Sequence, residues 1–100
     1  MPLATTIAPP VSKSGTTNIN QNTWKQRDNV VFVSGYGYTV TAGTYSVTGL
    51  PKPLDYTMAR FINDNGYLGY MEYATSGWNI NAQQNNKTMY ASFTYLTDEF

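Results

Sequence analysis

Histidine and cysteine are both absent from this chain of 100 residues, and only 12% of its side chains are charged. The missing histidine removes the commonest general base, so a nucleophilic triad has no ordinary proton acceptor. The missing cysteine excludes a disulfide framework and thiolate metal sites, and it leaves the redox compartment open. Six cations balance six anions to a net charge of +0. Lys13, Lys25, Arg27, Lys52, Arg60 and Lys87 lie scattered, without the basic stripe that phosphate neutralisation requires. No nucleic-acid partner is therefore expected. No apolar run approaches the ~18 residues of a membrane-spanning helix, so no membrane insertion is expected. Residues 1–6 carry neither the basic nor the apolar region of a secretory leader, and the reading is of a chain kept in its initial form. The inventory predicts no cofactor, no metal and no enzymatic activity.

Threonine, asparagine and tyrosine dominate what is present. Apolar and polar residues alternate over short runs, among them Val31-Phe32-Val33, Tyr38-Thr39-Val40, Tyr45-Ser46-Val47, Tyr56-Thr57-Met58 and Tyr90-Ala91-Ser92-Phe93. Glycine, proline and asparagine separate them, which is the pattern of strands joined by turns. Residues 29–34 form a nearly continuous apolar run, predicted as a strand buried on both faces. Ala42-Gly43 between residues 38–41 and 44–48 predicts a two-residue hairpin, with Tyr38, Val40, Tyr45 and Val47 on one face. Residues 49–53 hold two prolines and form a connection. Further strands are predicted over residues 55–63, 67–75, 78–83 and 87–96. Asn63-Asp64-Asn65-Gly66 is the clearest turn. Asn86-Lys87-Thr88 fits a glycosylation triplet but is read as a turn. The expected fold is all-β, a small antiparallel β-sandwich or barrel-like domain, with a meander of about seven strands.

Residues 1–23 read differently. Pro2, Pro9, Pro10 and the polar run Asn18-Ile19-Asn20-Gln21-Asn22 argue against a helix or regular strand. Leu3, Ile7, Val11 and Ile19 sit at wide spacing along this stiffened strap. That dispersal suits an extended N-terminal arm laid across a neighbouring chain; the alternative is a free tail. The body would then span residues 24–100, entered through the charged knot Lys25, Arg27 and Asp28. A body this small, without disulfide or metal, is a candidate for stabilisation by oligomerisation.

Sites for chemistry are few. The Asn63-Asp64-Asn65-Gly66 turn lacks the ligand alternation of a calcium loop. A glycosidase needs two facing carboxylates; Asp64 lies in the turn and Glu72 mid-strand, so extended chain separates them. Arg60 and Glu72 stand opposite or on different faces according to the hairpin loop length. The aromatic residues carry more. Tyr36, Tyr67, Tyr70 and Trp78 fall near glycine-containing corners, with Asn65 and Asn79 alongside. Flat rings with a polar rim stack on sugar faces, and they also anchor protein interfaces. Alternation places Tyr67, Gly69, Met71 and Tyr73 on one face, and Leu68, Tyr70 and Glu72 on the other. Both faces hold apolar area, so a second copy is expected to cover one of them.

The stretch Gly43-Thr44-Tyr45-Ser46-Val47-Thr48-Gly49-Leu50-Pro51 resembles a pattern in the distal β domains of bacteriophage tail-fibre and related virion proteins. There a G-x-Y-x-V-x-G-L-P strand leads into a proline loop. The cysteine-free, histidine-free, tyrosine-rich style is similar. The resemblance implies a non-enzymatic structural subunit of a virion, a tail fibre, tail tip or decorating protein. It implies a homotrimer or other symmetric oligomer, other virion proteins as partners, and host attachment through a surface glycan or protein. No stalk precedes the body, which points to a small accessory subunit. The alternative is a carbohydrate-binding module acting as an independent domain.

Overall fold

Eight strands form two sheets, and no helix occurs among the described residues. The computed structural model describes residues 11–19, 22–63, 66–74 and 77–100, with the backbone alone for 35–40, 62–63, 66 and 87–91. The first sheet contains β1 (Ser12–Thr16), β2 (Thr23–Arg27), β3 (Val30–Val40) and β8 (Lys87–Leu96), in the order β1-β2-β3-β8. The second contains β4 (Gly43–Val47), β5 (Met58–Asn63), β6 (Gly66–Ala74) and β7 (Gly77–Ala82), in the order β4-β7-β6-β5. All pairings are antiparallel. The fold is a small β-sandwich.

Period-two alternation builds the core. In β7, Trp78, Ile80 and Ala82 are buried while Gly77, Asn79 and Asn81 are half-buried on the outer face. β2 buries Trp24 and Gln26 and exposes Thr23, Lys25 and Arg27. β3 turns Val31 and Val33 inward, but Phe32 points out and is 49% exposed. This corrects the expected strand buried on both faces, because one flank of the first sheet meets the second sheet and the other does not. The inward set, with Val47, Phe61, Leu68, Met71 and Tyr95, is one continuous core. Trp78 lies at its centre, against Tyr73 at 5.6 Å, Tyr95 at 5.1 Å and Phe93 at 6.0 Å between ring centroids.

Connectivity departs from a meander. β3 and β4 lie in different sheets, so Ala42-Gly43 is a crossover and Tyr45 and Val47 do not share a face with β3. The side chains of Tyr38 and Val40 lie outside the described ones. β7 likewise crosses to β8, which pairs with β3 from Val30↔Leu96 to Val40↔Lys87. A two-residue turn separated by backbone alone looks the same whether the chain returns in one sheet or passes to the other; only packing decides.

The expectation of no regular strand before residue 24 also fails. Ser12–Thr16 pairs along β2 in full register. β1 needs no apolar side chain because the Trp24 indole lies over Gly15, where a Cβ would meet the ring at 2.6 Å. The charged knot is the β2–β3 hairpin, closed by Asp28 at φ 51, a conformation aspartate tolerates. Ile19 packs against this chain's own core and Val11 donates its N–H to Asp28, 3.1 Å away. Leu3 and Ile7, the other proposed arm anchors, lie outside the described residues.

The proline-bearing connection between β4 and β5 is fastened to both sheets through one carbonyl. Trp78 Nε1 from β7 and Tyr95 Oη from β8 both donate to the Pro51 oxygen, at 3.2 and 2.7 Å. Thr97 Oγ1 donates to Lys52 O at 2.6 Å, and Leu54 N to Leu96 O at 2.8 Å. Burial, and secondarily the Glu99 charge, hold the Tyr95 phenol well above its ordinary value of 10.0. The folded chain thus keeps this proton where the unfolded chain releases it. The contribution is complete below pH 10 and is lost as pH rises beyond it. Melting temperatures taken from about pH 8 to 12 are expected to fall on the alkaline side, and less steeply in Tyr95→Phe. Parallel curves for the two proteins would show that Tyr95 does not cause the loss.

Candidate functional site

The β6 strand carries a bulge that reorganises its faces. Phe61 pairs with Gly69 and Ile62 with Tyr67, leaving Leu68 as the extra residue. Gly69 adopts φ 143, and a Cβ there would collide with the Asn81 carbonyl oxygen. Glycine alone fits both constraints. Beyond the bulge the parity reverses, so Leu68 and Met71 both point inward at 0% exposure. The expected grouping of Tyr67 with Met71, and of Leu68 with Tyr70, is corrected accordingly. Tyr67 and Tyr70 instead share the outer face, three residues apart.

Around them the outer face is ordered in cross-strand rows. One row runs Arg60, Tyr70, Asn81 and Thr44; the next runs Met58, Glu72, Asn79 and Ser46. Met58, Arg60, Tyr67 and Tyr70 line a shallow recess of about 500 Å³. Tyr67 is 43% and Met58 41% exposed. Arg60 and Glu72 fall on the same face but in different rows, so neither arrangement expected from the loop length holds. The strands close at Asn63↔Gly66 rather than around a loop that begins at Asn65, and the bulge restores the common face. Arg60 has no hydrogen bond or ion pair to any described residue. Glu72 is engaged elsewhere, accepting from Tyr56 Oη at 2.5 Å. That bond to a carboxylate raises the Tyr56 phenol above its ordinary value. Glu72 is the only carboxylate in β4–β7, so no second carboxylate from these strands faces it among the described residues.

Of the residues singled out from the sequence, Tyr67, Tyr70 and Asn79 share this face, the two tyrosines at one recess and Asn79 in the next row. Trp78 does not join them: it is 3% exposed, with its indole N–H committed to Pro51. Its alternation partners Ile80 and Ala82 place it in the core. Trp78 and Asn79 do border a separate recess of about 590 Å³ at the end of the sheet, with Ser46, Leu50, Lys52 and Tyr73. At 3% exposure the indole offers almost no surface there. Tyr36 belongs to β3 in the other sheet, and its side chain lies outside the described ones; Asn65 lies outside the described residues altogether.

A second feature was not anticipated. Leu54, Tyr56, Met58 and Leu96 line one recess with Thr94, on the flank where β5 approaches β8. Thr94 also borders the recess at Phe32, and Met58 also borders the recess at Tyr67. Six large exposed hydrophobic residues thus lie along adjoining recesses on one side of the sandwich, interspersed with Thr94 and Arg60: Phe32, Leu96, Leu54, Tyr56, Met58 and Tyr67. The opposite edge, at β1 and β4, presents Ser12, Ser14, Thr16, Thr44 and Ser46. The sequence signal was the alternation Leu54, Tyr56, Met58 after two prolines, an apolar period with no matching inward set. No family model matches the chain, and no curated protein or solved structure matches it.

Proposed function

We propose that the chain is a non-enzymatic structural subunit of a bacteriophage virion, in a tail fibre, a tail tip or a decorating position. It assembles with copies of itself, as a trimer or another symmetric oligomer, through the apolar flank. The observation that supports self-assembly is the cluster of Leu54, Tyr56, Met58 and Leu96 around one recess, with Phe32 beyond Thr94, each 41% exposed or more. Contiguous apolar area on one side marks an interaction surface, whereas isolated exposed residues do not. The likeness of residues 43–51 to virion β domains supports the setting.

Sedimentation at micromolar concentration is expected to give a mass that is a multiple of 11.2 kDa. The double variant Leu54→Glu, Leu96→Glu should raise the dissociation constant by roughly a hundredfold or more, because an unpaired buried carboxylate costs several kcal/mol. Its own melting should change little, since both leucines are about half exposed, at 50% and 49%. A single chain in the unmodified protein would remove the proposal. The ordered Tyr67, Tyr70 and Asn79 favour a second reading, a carbohydrate-binding domain using the outer face of the second sheet.

A further inference from the structure

Arg60 is the only cation in β4–β7, and its surroundings are chemically specific. It stands in a row with Tyr70, Asn81 and Thr44, and with Tyr67 and Met58 it lines the recess of about 500 Å³. Four strands set the row about 14 Å across, at roughly 4.8 Å per strand. That length exceeds a single sugar ring. Asn81 donates to Thr44 Oγ1 at 3.5 Å and accepts from Gln83, so the amides already work in both directions.

We infer that this face takes a carboxylate-bearing sugar. The inference rests on the carbohydrate reading above and adds the class of sugar. Tyr67 and Tyr70 present ring surface to the apolar side of a pyranose. Asn79, Asn81 and Thr44 supply donors and acceptors together, which matches hydroxyl groups, themselves both donor and acceptor. Arg60 supplies a fork for one carboxylate. A single cation set among neutral amides suits a ligand with one negative charge and many hydroxyls. A phosphate chain would call for a line of cations, and this face has none.

Glu72 is the opposing consideration, because its charge lies on the same face. Its bond to Tyr56 draws it along the strand direction past Met58, away from Arg60. The remaining repulsion across about 7 Å of water is worth about two- to threefold in affinity.

The test is calorimetric titration of the unmodified protein with two matched pairs: an aldobiouronic acid and its methyl ester, and sialyllactose and lactose. At least one acidic member is expected to bind about tenfold or more tighter than its neutral counterpart. Arg60→Gln should erase that difference, with the larger loss falling on the acidic member, and should leave the melting temperature unchanged. Glu72→Gln should tighten the acidic ligand about two- to threefold, and Tyr67→Ala should weaken both members of the pair. Equal binding of acidic and neutral members overturns the acid preference and leaves the carbohydrate reading intact. An Arg60→Gln loss of equal size for both members also overturns it, since Arg60 would then be packing rather than pairing. No binding by any of the four sugars overturns the inference and the carbohydrate reading together.

Discussion

Trp78→Ala is expected to unfold most of the protein at room temperature, without any selective effect on a surface site. Truncating a buried tryptophan costs about 3–5 kcal/mol, and a domain of this size has roughly 5–15 kcal/mol in total, with small all-protein cores at the lower end. Trp78 is also the hub of the aromatic contacts with Tyr73, Phe93 and Tyr95. Its loss removes one of the two donors to the Pro51 carbonyl, so the proline connection loosens at the same time. Urea unfolding followed by circular dichroism should show a midpoint near zero denaturant, or no cooperative transition. Trp78→Phe should retain a transition, displaced by the lost hydrogen bond and part of the lost volume. A well-folded Trp78→Ala protein that differs from the parent by less than about 1 kcal/mol would contradict the central position assigned to this ring.

Gly69→Ala is the second large effect. The substitution demands an L-residue at φ 143 and drives a Cβ into the backbone oxygen of Asn81. Backbone strain of this kind costs about 1–3 kcal/mol before any clash is counted. The obstructing atom belongs to the neighbouring strand, so relief requires β6 to part from β7 or the bulge to migrate. Asparagine should fare no better than alanine, because φ lies outside the left-handed helical region where asparagine is tolerated. The unfolding midpoint should fall by an amount equivalent to about 3 kcal/mol or more. Amide spectra should shift along β5 and β6 first. An unchanged midpoint would mean that the bulge is not required for the register of this hairpin.

The two substitutions also show what could be read from the residues and what could not. β7 and β8 were legible within a residue or so because Trp78, Ile80 and Ala82 alternate cleanly and Lys87 follows a run of turn formers. β1 was not legible: Ser12–Thr16 has no apolar period, because its inward position is a glycine beneath Trp24. Sheet membership was hidden as well. Ala42-Gly43 serves a hairpin and a sheet crossing equally well, and the choice depends on the whole core. At the candidate site, Tyr67 and Tyr70 were recognised as useful rings but assigned to opposite faces. A glycine inside a strand was the available sign of a bulge, and a bulge inverts parity. Trp78 follows Gly77 and so suggests a ring at a corner, but its alternation with Ile80 and Ala82 points to the core. The apolar flank needed three dimensions, since Leu54 and Leu96 meet only after the chain has closed on itself.

The pairing of β3 with β8 bears on how the molecule is made. During synthesis, β3 emerges long before the strand that will complete its hydrogen-bond ladder, and β2 accompanies it only from Val30 to Val33. The stretch beyond that point has no local partner while the ribosome is still translating the second sheet. Folding is therefore expected to wait for the C-terminal strand and to be slow, as for other chains dominated by distant pairings. In the interval an unsatisfied edge is open to equivalent edges on sibling nascent chains. Polysomes crowded with this message would be where misassembly begins, and a holdase that shields extended segments would be its natural protection.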